Sequence, residues 1–178
     1  MELKKHVITG GPCSGKTTTV EALRRRGFGI IEEASRKIIE EQVKNGGDLV
    51  PWKRLADFNV AVTHIQKEFE SRVSDGVYFL DRGVIDNFAY CELGGIEPPS
   101  ELSEVARKTK YNKIFLLLPL GFMEKDSARR ESREDAEKLT KLIEKAYMFH
   151  GYKVIAVPPV SVEERVEFIL KEINATSE

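Results

Sequence analysis

Residues Gly10 to Thr17 read GGPCSGKT, which satisfies the spacing G-x-x-x-x-G-K-S/T. That spacing suits the gripping of a polyphosphate. Glycines let backbone N–H groups close around phosphate oxygens, the lysine reaches the β- and γ-phosphates, and the hydroxyl is placed for Mg²⁺. The flanks agree: His6-Val7-Ile8-Thr9 suits a buried strand, and Thr18-Thr19-Val20-Glu21-Ala22-Leu23-Arg24 continues as a helix. A helix that begins at the loop adds its dipole to the amides facing the anion. Gly10, Gly11, Pro12, Cys13, Ser14, Gly15, Lys16, Thr17 and Thr18 are therefore expected to bind a nucleoside triphosphate, with Mg²⁺ on Thr17.

Further chemistry must come from elsewhere in the chain. The run Val77-Tyr78-Phe79-Leu80 ends on Asp81-Arg82-Gly83, which puts a carboxylate at the carboxyl edge of a sheet, where open α/β folds bind ligands. Beside a phosphate loop, Asp81 is the expected second partner of Mg²⁺, directly or through water. Its plainer reading is an Asp that opens a turn. Many hydrolysing ATPases carry Glu at the next position; this chain has Arg82, suited to a substrate anion or a transferred phosphoryl oxygen. The exchange favours transfer over hydrolysis. Glu32 and Glu33 follow another apolar run. Either could accept the proton of a substrate hydroxyl, or both could be acids favoured by a helix dipole. Asp86 and Tyr90, in DRGVIDNFAY, are candidates to line an acceptor pocket.

Arg129, Arg130 and Arg133 stand at i, i+1 and i+4, so two or three share one side of a helix. They could form a lid that neutralises the γ-phosphate. The surrounding stretch, Glu124 to Lys138, has 11 charged residues of 15 and equally suits a solvated surface of Arg–Glu pairs. Trp52 could stack on a ring or pack a helix, and Pro158-Pro159 could flank a base. Cys13 reads as a small filler of a variable loop position. With only Cys91 besides it, no disulfide framework arises, and His6, His64 and His150 share no metal-ligand spacing.

To position these groups the chain needs strands that deliver loops to one edge. Five short apolar runs serve: His6–Thr9, Phe28–Ile31, Val77–Leu80, Ile114–Leu118 and Lys153–Val157. Runs buried on both faces between helical segments predict a parallel sheet covered by helices, an α/β architecture. Helices are expected from Thr17 to Arg26, Ala34 to Lys44 and Lys53 to Val73. Three more are expected behind caps at Ser100, Ser132 and Ser161, ending at Lys108, Phe149 and Asn174.

At 178 residues, 41% hydrophobic and 32% charged, the chain suits one domain, residues 1–178, with a real core. Its 28 basic and 29 acidic residues give a net charge of −1, which announces no footprint for nucleic acid. Without a secretory core or an apolar span, a cytoplasmic protein with no integral membrane association is expected.

Together GGPCSGKTT, IIEEASRKIIEEQ, GGDLVPW, YFLDRGVIDNFAY, KIFLLLP, RRESREDAEK and GYKVIAVPPVSVEERVEFIL resemble the AAA-like P-loop domain shared by nicotinamide-riboside kinases of the NadR type and the TRPL-translocation-defect protein. The resemblance spans about His6 to Ile173. It implies a three-layer, nucleoside-kinase-like P-loop NTPase fold with five parallel strands and the phosphate-loop strand at the centre. It further implies triphosphate binding by Gly15, Lys16 and Thr17, and Mg²⁺ or substrate handling by Asp81, Arg82 and Asp86. Glu33 and Arg36 would face the acceptor, as the matching residues do in deoxynucleoside kinases, which the chain also resembles. Two functions follow as expectations. One is transfer of the γ-phosphoryl group of ATP to a hydroxyl of a nucleoside-like molecule. The other is a slow ATP- or GTP-binding NTPase or switch acting through a protein or membrane partner.

Overall fold

Every strand of the computed structural model, which describes residues 2–120 and 133–175, runs the same way. They are β1 (Lys4–Thr9), β2 (Gly29–Ile31), β3 (Val77–Asp81), β4 (Lys113–Leu117) and β5 (Val154–Val157), in the order β2-β3-β1-β4-β5. The expected five runs match these strands to within a residue or two. Parallel pairing aligns Val7 with Leu80 on one side and with Ile114 on the other. β1 is thus the central strand, and its carboxyl end delivers the phosphate loop to the middle of the sheet edge.

The helices are α1 (Lys16–Arg25), α2 (Ala34–Asn45), α3 (Leu55–Ser71), α4 (Asp86–Leu93), α5 (Ser100–Lys108), α6 (Arg133–Phe149) and α7 (Val162–Asn174). Alternation along the strands divides the core in two. Val7, Leu80, Ile114 and Leu116 pack against residues of α4, α5 and α6. Ile8, Phe79, Phe115 and Leu117 turn the other way, onto Val20 and Leu23 of α1 and Val166 and Ile169 of α7. These are the three layers expected of strands buried on both faces. A third cluster, Ala34 and Ile38 of α2 with Phe58 and Val62 of α3, forms a helical pair beyond the β2 edge.

Local chemistry sets the boundaries. Gly15, with φ +79°, precedes α1, and Gly46, with φ +68°, ends α2 in the left-handed region that glycine adopts freely. Ser161 opens α7 with a complete capping box: its hydroxyl accepts from the Glu164 N–H while the Glu164 carboxylate accepts from the Ser161 N–H. Ser100, expected as a cap, is instead the first residue of α5, behind Pro99, and its hydroxyl turns to Glu101. Ser132 lies outside the described residues.

Candidate active site

The phosphate loop is shaped by contacts that leave no room for side chains. A Cβ on Gly10 would meet the Leu117 carbonyl at 2.6 Å, and one on Gly11 would meet Thr140 Oγ1 at 2.5 Å and the Ala136 carbonyl at 2.6 Å. α6 therefore braces the loop from below: Gly11 N–H donates to Thr140 Oγ1 at 3.2 Å, and that hydroxyl donates to Ala136 O at 2.8 Å. Lys16, the first residue of α1, curls over its own loop and donates to the carbonyls of Gly10 at 3.0 Å and Gly11 at 2.7 Å. Burial first, then the cation of Arg82, lowers its pKa to about 7, against the acids Asp81, Glu33 and Asp86. Such an ammonium, held among carbonyls and short of counter-charge, is primed for phosphate oxygens.

Next to the loop lies an acid–arginine cluster from three strand ends. Arg82 follows β3 with φ +70°, a conformation costly for a residue with a Cβ and sustained only by firm anchoring. The anchors are visible. Its Nε donates to Glu33 Oε1 at 3.2 Å, and its Nη1 lies 3.3 Å from Gly10 O and 3.4 Å from Asp86 Oδ1. The guanidinium also sits over the Tyr90 ring, 5.4 Å from its centre. Asp86 was expected to face the acceptor, but it is 1% exposed and sits behind Arg82. Its carboxylate accepts from the hydroxyls of Thr9 and Tyr147 and from the Gly83 N–H. With its lone pairs so occupied, it is a clamp for Arg82 and not a contact for substrate.

The structure separates the two neighbouring glutamates. Glu32, 62% exposed, pairs with Arg24. Glu33, 17% exposed, turns inward to Arg82 and accepts from the Ser35 hydroxyl at 2.5 Å. Burial acts to raise the Glu33 pKa, yet Arg82, Ser35, Lys16 and Arg36 outweigh it and hold it below the usual value. Asp81 shows the reverse balance. Burial and the Glu33 charge push it up to about 6, and its Oδ1 is buried without a partner among the described residues. It shares a smaller cavity with Thr17, Glu33 and Arg36. A hydroxyl and an under-compensated carboxylate on one cavity suit a hard divalent cation that takes its other ligands from phosphate and water.

A cavity of about 1030 Å³ runs from the phosphate loop to a wall formed by α2, α3 and α4. Lys16, Thr17, Glu33, Arg36, Arg82 and Tyr90 all line it, so most of the expected donor and acceptor residues converge there. Trp52, 54% exposed, stands at its rim. Pro158 and Pro159 do not line it, but Val162 at the start of α7 does. Arg129 and Arg130, and with them the expected arginine lid, lie outside the described residues; Arg133 is the first residue of α6.

Sequence reasoning missed several contributors. Phe58, Asn59, Val62 and Gln66 recur at helical spacing and place one face of α3 on the cavity. Gln66 is held by Glu70, which Lys5 and Tyr111 hold in turn. Asn87 of α4 lines the cavity, and its Nδ2 is buried without a partner among the described residues. Arg165 of α7 reaches the loop itself, donating to Ser14 O at 2.8 Å. The spacing Arg165, Val166, Ile169 was the available signal for it: the arginine stands on the apolar stripe of its helix.

A central parallel strand, a glycine loop that opens a helix, and a large cleft at the carboxyl edge define a P-loop α/β fold. The sequence profile of the AAA domain family matches residues 5–165, and the chain belongs to that family. Among solved structures, NadR protein in complex with NAD and AMP-PNP superposes with a TM-score of 0.68 at 17% identity, over 98% of this chain and 51% of that one. The chain thus spans about half the length of that NadR chain. Thymidylate kinase from Ehrlichia chaffeensis gives 0.67 at 12% identity, over 98% and 100% of the two chains. Deoxyadenosine kinase from M. mycoides with bound dATP gives 0.65 at 17%, over 96% and 100%. A comparison with curated protein sequences finds no match. Among the described residues no helix is long and apolar enough to cross a membrane.

Proposed function

We propose that this protein transfers the γ-phosphoryl group of ATP to a hydroxyl of a nucleoside-like small molecule. The reading rests on the Glu33–Arg82 pair, which joins the phosphate loop to a wide cleft beyond it. Residues Gly10 to Thr18 hold the triphosphate, with the Lys16 ammonium at its β- and γ-phosphates. Thr17 and Asp81 hold Mg²⁺, which when bound shields phosphate charge. The Glu33 carboxylate accepts the proton of the acceptor hydroxyl. The freed oxygen bonds to the γ-phosphorus as the bond to the β–γ bridging oxygen breaks, and ADP leaves with that electron pair. Arg82 neutralises charge on the transferred group, and Arg36 sits on the acceptor side. Most of the acceleration is positioning and charge neutralisation, as expected of phosphoryl transfer.

The acceptor wall supports the substrate class. Phe58 and Val62 offer apolar surface, while Asn59, Gln66 and Asn87 offer amides. A flat ring with a polar edge suits that mixture. NadR bound to NAD and AMP-PNP, and deoxyadenosine kinase bound to dATP, are nucleotide-handling proteins with this fold. To test the reading, the protein is incubated with Mg-ATP or Mg-GTP and a panel of nucleosides and nucleoside monophosphates. ADP or GDP release and phosphorylated product are then followed by mass spectrometry. A phosphorylated acceptor is the expected outcome. Nucleoside diphosphate released at one rate whatever is added would identify an NTPase and end the kinase reading.

A further inference from the structure

Arg165 is the largest side chain fully enclosed in the described fold, at 1% exposure. It extends from the first turn of α7, which the Ser161–Glu164 capping box fixes in place. Nη1 donates to Ser14 O at 2.8 Å. Among the described residues, Nε and Nη2 are buried without a partner and no carboxylate offsets the charge. Burying an uncompensated cation costs free energy that folding alone gives no reason to spend. The guanidinium touches the phosphate loop itself. A Cβ on Gly15 would lie 2.5 Å from Nη1, so cation and loop are fitted to each other.

We propose that Arg165 is a positioning residue for nucleotide binding: it fixes the Ser14–Gly15 peptide from behind, and a polyphosphate in the loop balances its charge. The Ser14–Gly15 peptide is trans, so its C=O and N–H point in opposite directions. Holding the carbonyl toward α7 turns the Gly15 N–H away from α7, into the nest of amides that cradles phosphate. The buried cation raises the potential at the same place. The proposal rests on the reading that residues 10–18 bind a polyphosphate.

Two variants test it, R165M and R165K, by titration calorimetry with Mg-ADP and by thermal melting with and without Mg-ADP. R165M keeps the bulk and removes the charge. It is expected to bind Mg-ADP about tenfold or more weakly, while its nucleotide-free melting temperature stays level or rises, because an unpaired buried charge has gone. R165K retains charge without the planar fork and should fall between R165M and the wild type in affinity. With a responsive acceptor in hand, KM for ATP should rise while KM for the acceptor stays within about twofold. Wild-type affinity in R165M, or in R165K if R165M does not fold, overturns the proposal and leaves the phosphate-loop reading standing. So does a lowered nucleotide-free melting temperature with unchanged affinity in either variant, the signature of a purely structural role. A wild-type protein that gives no heat with Mg-ADP overturns the loop reading, and this proposal with it.

Discussion

Two carboxylates at one junction divide the chemistry by environment. Glu33 stays ionised because Arg82, Ser35, Lys16 and Arg36 outweigh its burial, whereas Asp81, a strand away, is pushed up to about 6 for want of such support. A carboxylate kept charged can take a proton; one left short of positive charge is suited to a cation. Glu33→Gln preserves size and removes the proposed base. It is expected to lower kcat by about 10²- to 10⁴-fold with nucleotide affinity nearly unchanged, checked by steady-state kinetics and calorimetry on the same sample. Lys16→Met should weaken Mg-ADP binding by at least about tenfold, since one charge-assisted contact to phosphate contributes about 1.5–3 kcal/mol, and the titration used for Arg165 reads it directly. Much of this site was legible in the residues. GGPCSGKT and the Asp81-Arg82 pair declare themselves by type and spacing, and Glu33 was in view beside Glu32. Asp86 misled because an acid near a catalytic motif reads as a substrate contact. Only the fold reveals that Thr9, Gly83 and Tyr147 already occupy it.

Among the elements, α4 was the one the sequence concealed. DNFAYCEL spans eight residues with no clean apolar stripe, and Ala89 and Cys91 are buried along with the polar Asp86 and Asn87. Periodicity fails where a helix is enclosed on more than one side. β3 and β4 were the most readable strands, because burial on both faces makes them apolar runs. The acceptor face of α3 was half readable: its periodicity was plain, but nothing in it separates residues that meet α2 from those that meet a ligand. The clamp between α4 and α6 yields a prediction of its own. Tyr147→Phe deletes the 2.6 Å hydrogen bond to Asp86 and leaves a buried carboxylate short of a donor. It should cost about 1–3 kcal/mol in urea unfolding and lower kcat as Arg82 loosens. Phe at this site with full stability and activity would refute the clamp.

Over the whole molecule, stability should depend on ligand and on acidity. Mg-ADP at about 100 times its Kd is expected to stabilise the fold by about 2.7 kcal/mol, and a thermal melt of Lys16→Met at the same concentration should lose about half of that gain or more. His6, in the central strand between Phe79 and Phe115, is lowered from 6.5 to about 4 by burial, then by Lys113 and Lys4. Below pH 6.5 the unfolded chain takes up a proton that the folded one refuses, so this contribution is intact above that pH and is lost as pH falls toward 4. A fall from 6.5 to about 4 corresponds to at most roughly 3 kcal/mol. Urea unfolding of His6→Leu at pH 7 and pH 4.5 should show a much flatter dependence than the wild type. One long-range feature links the two halves of the reaction. α6 holds Gly11 through Thr140 and, two turns further along, Asp86 through Tyr147. A single rod is thereby bolted to the phosphate loop and, through Asp86, to Arg82 at once. Sliding it by a fraction of a turn would disarm both together, so a compound wedged beneath that rod is expected to block the proposed transfer without competing with either substrate.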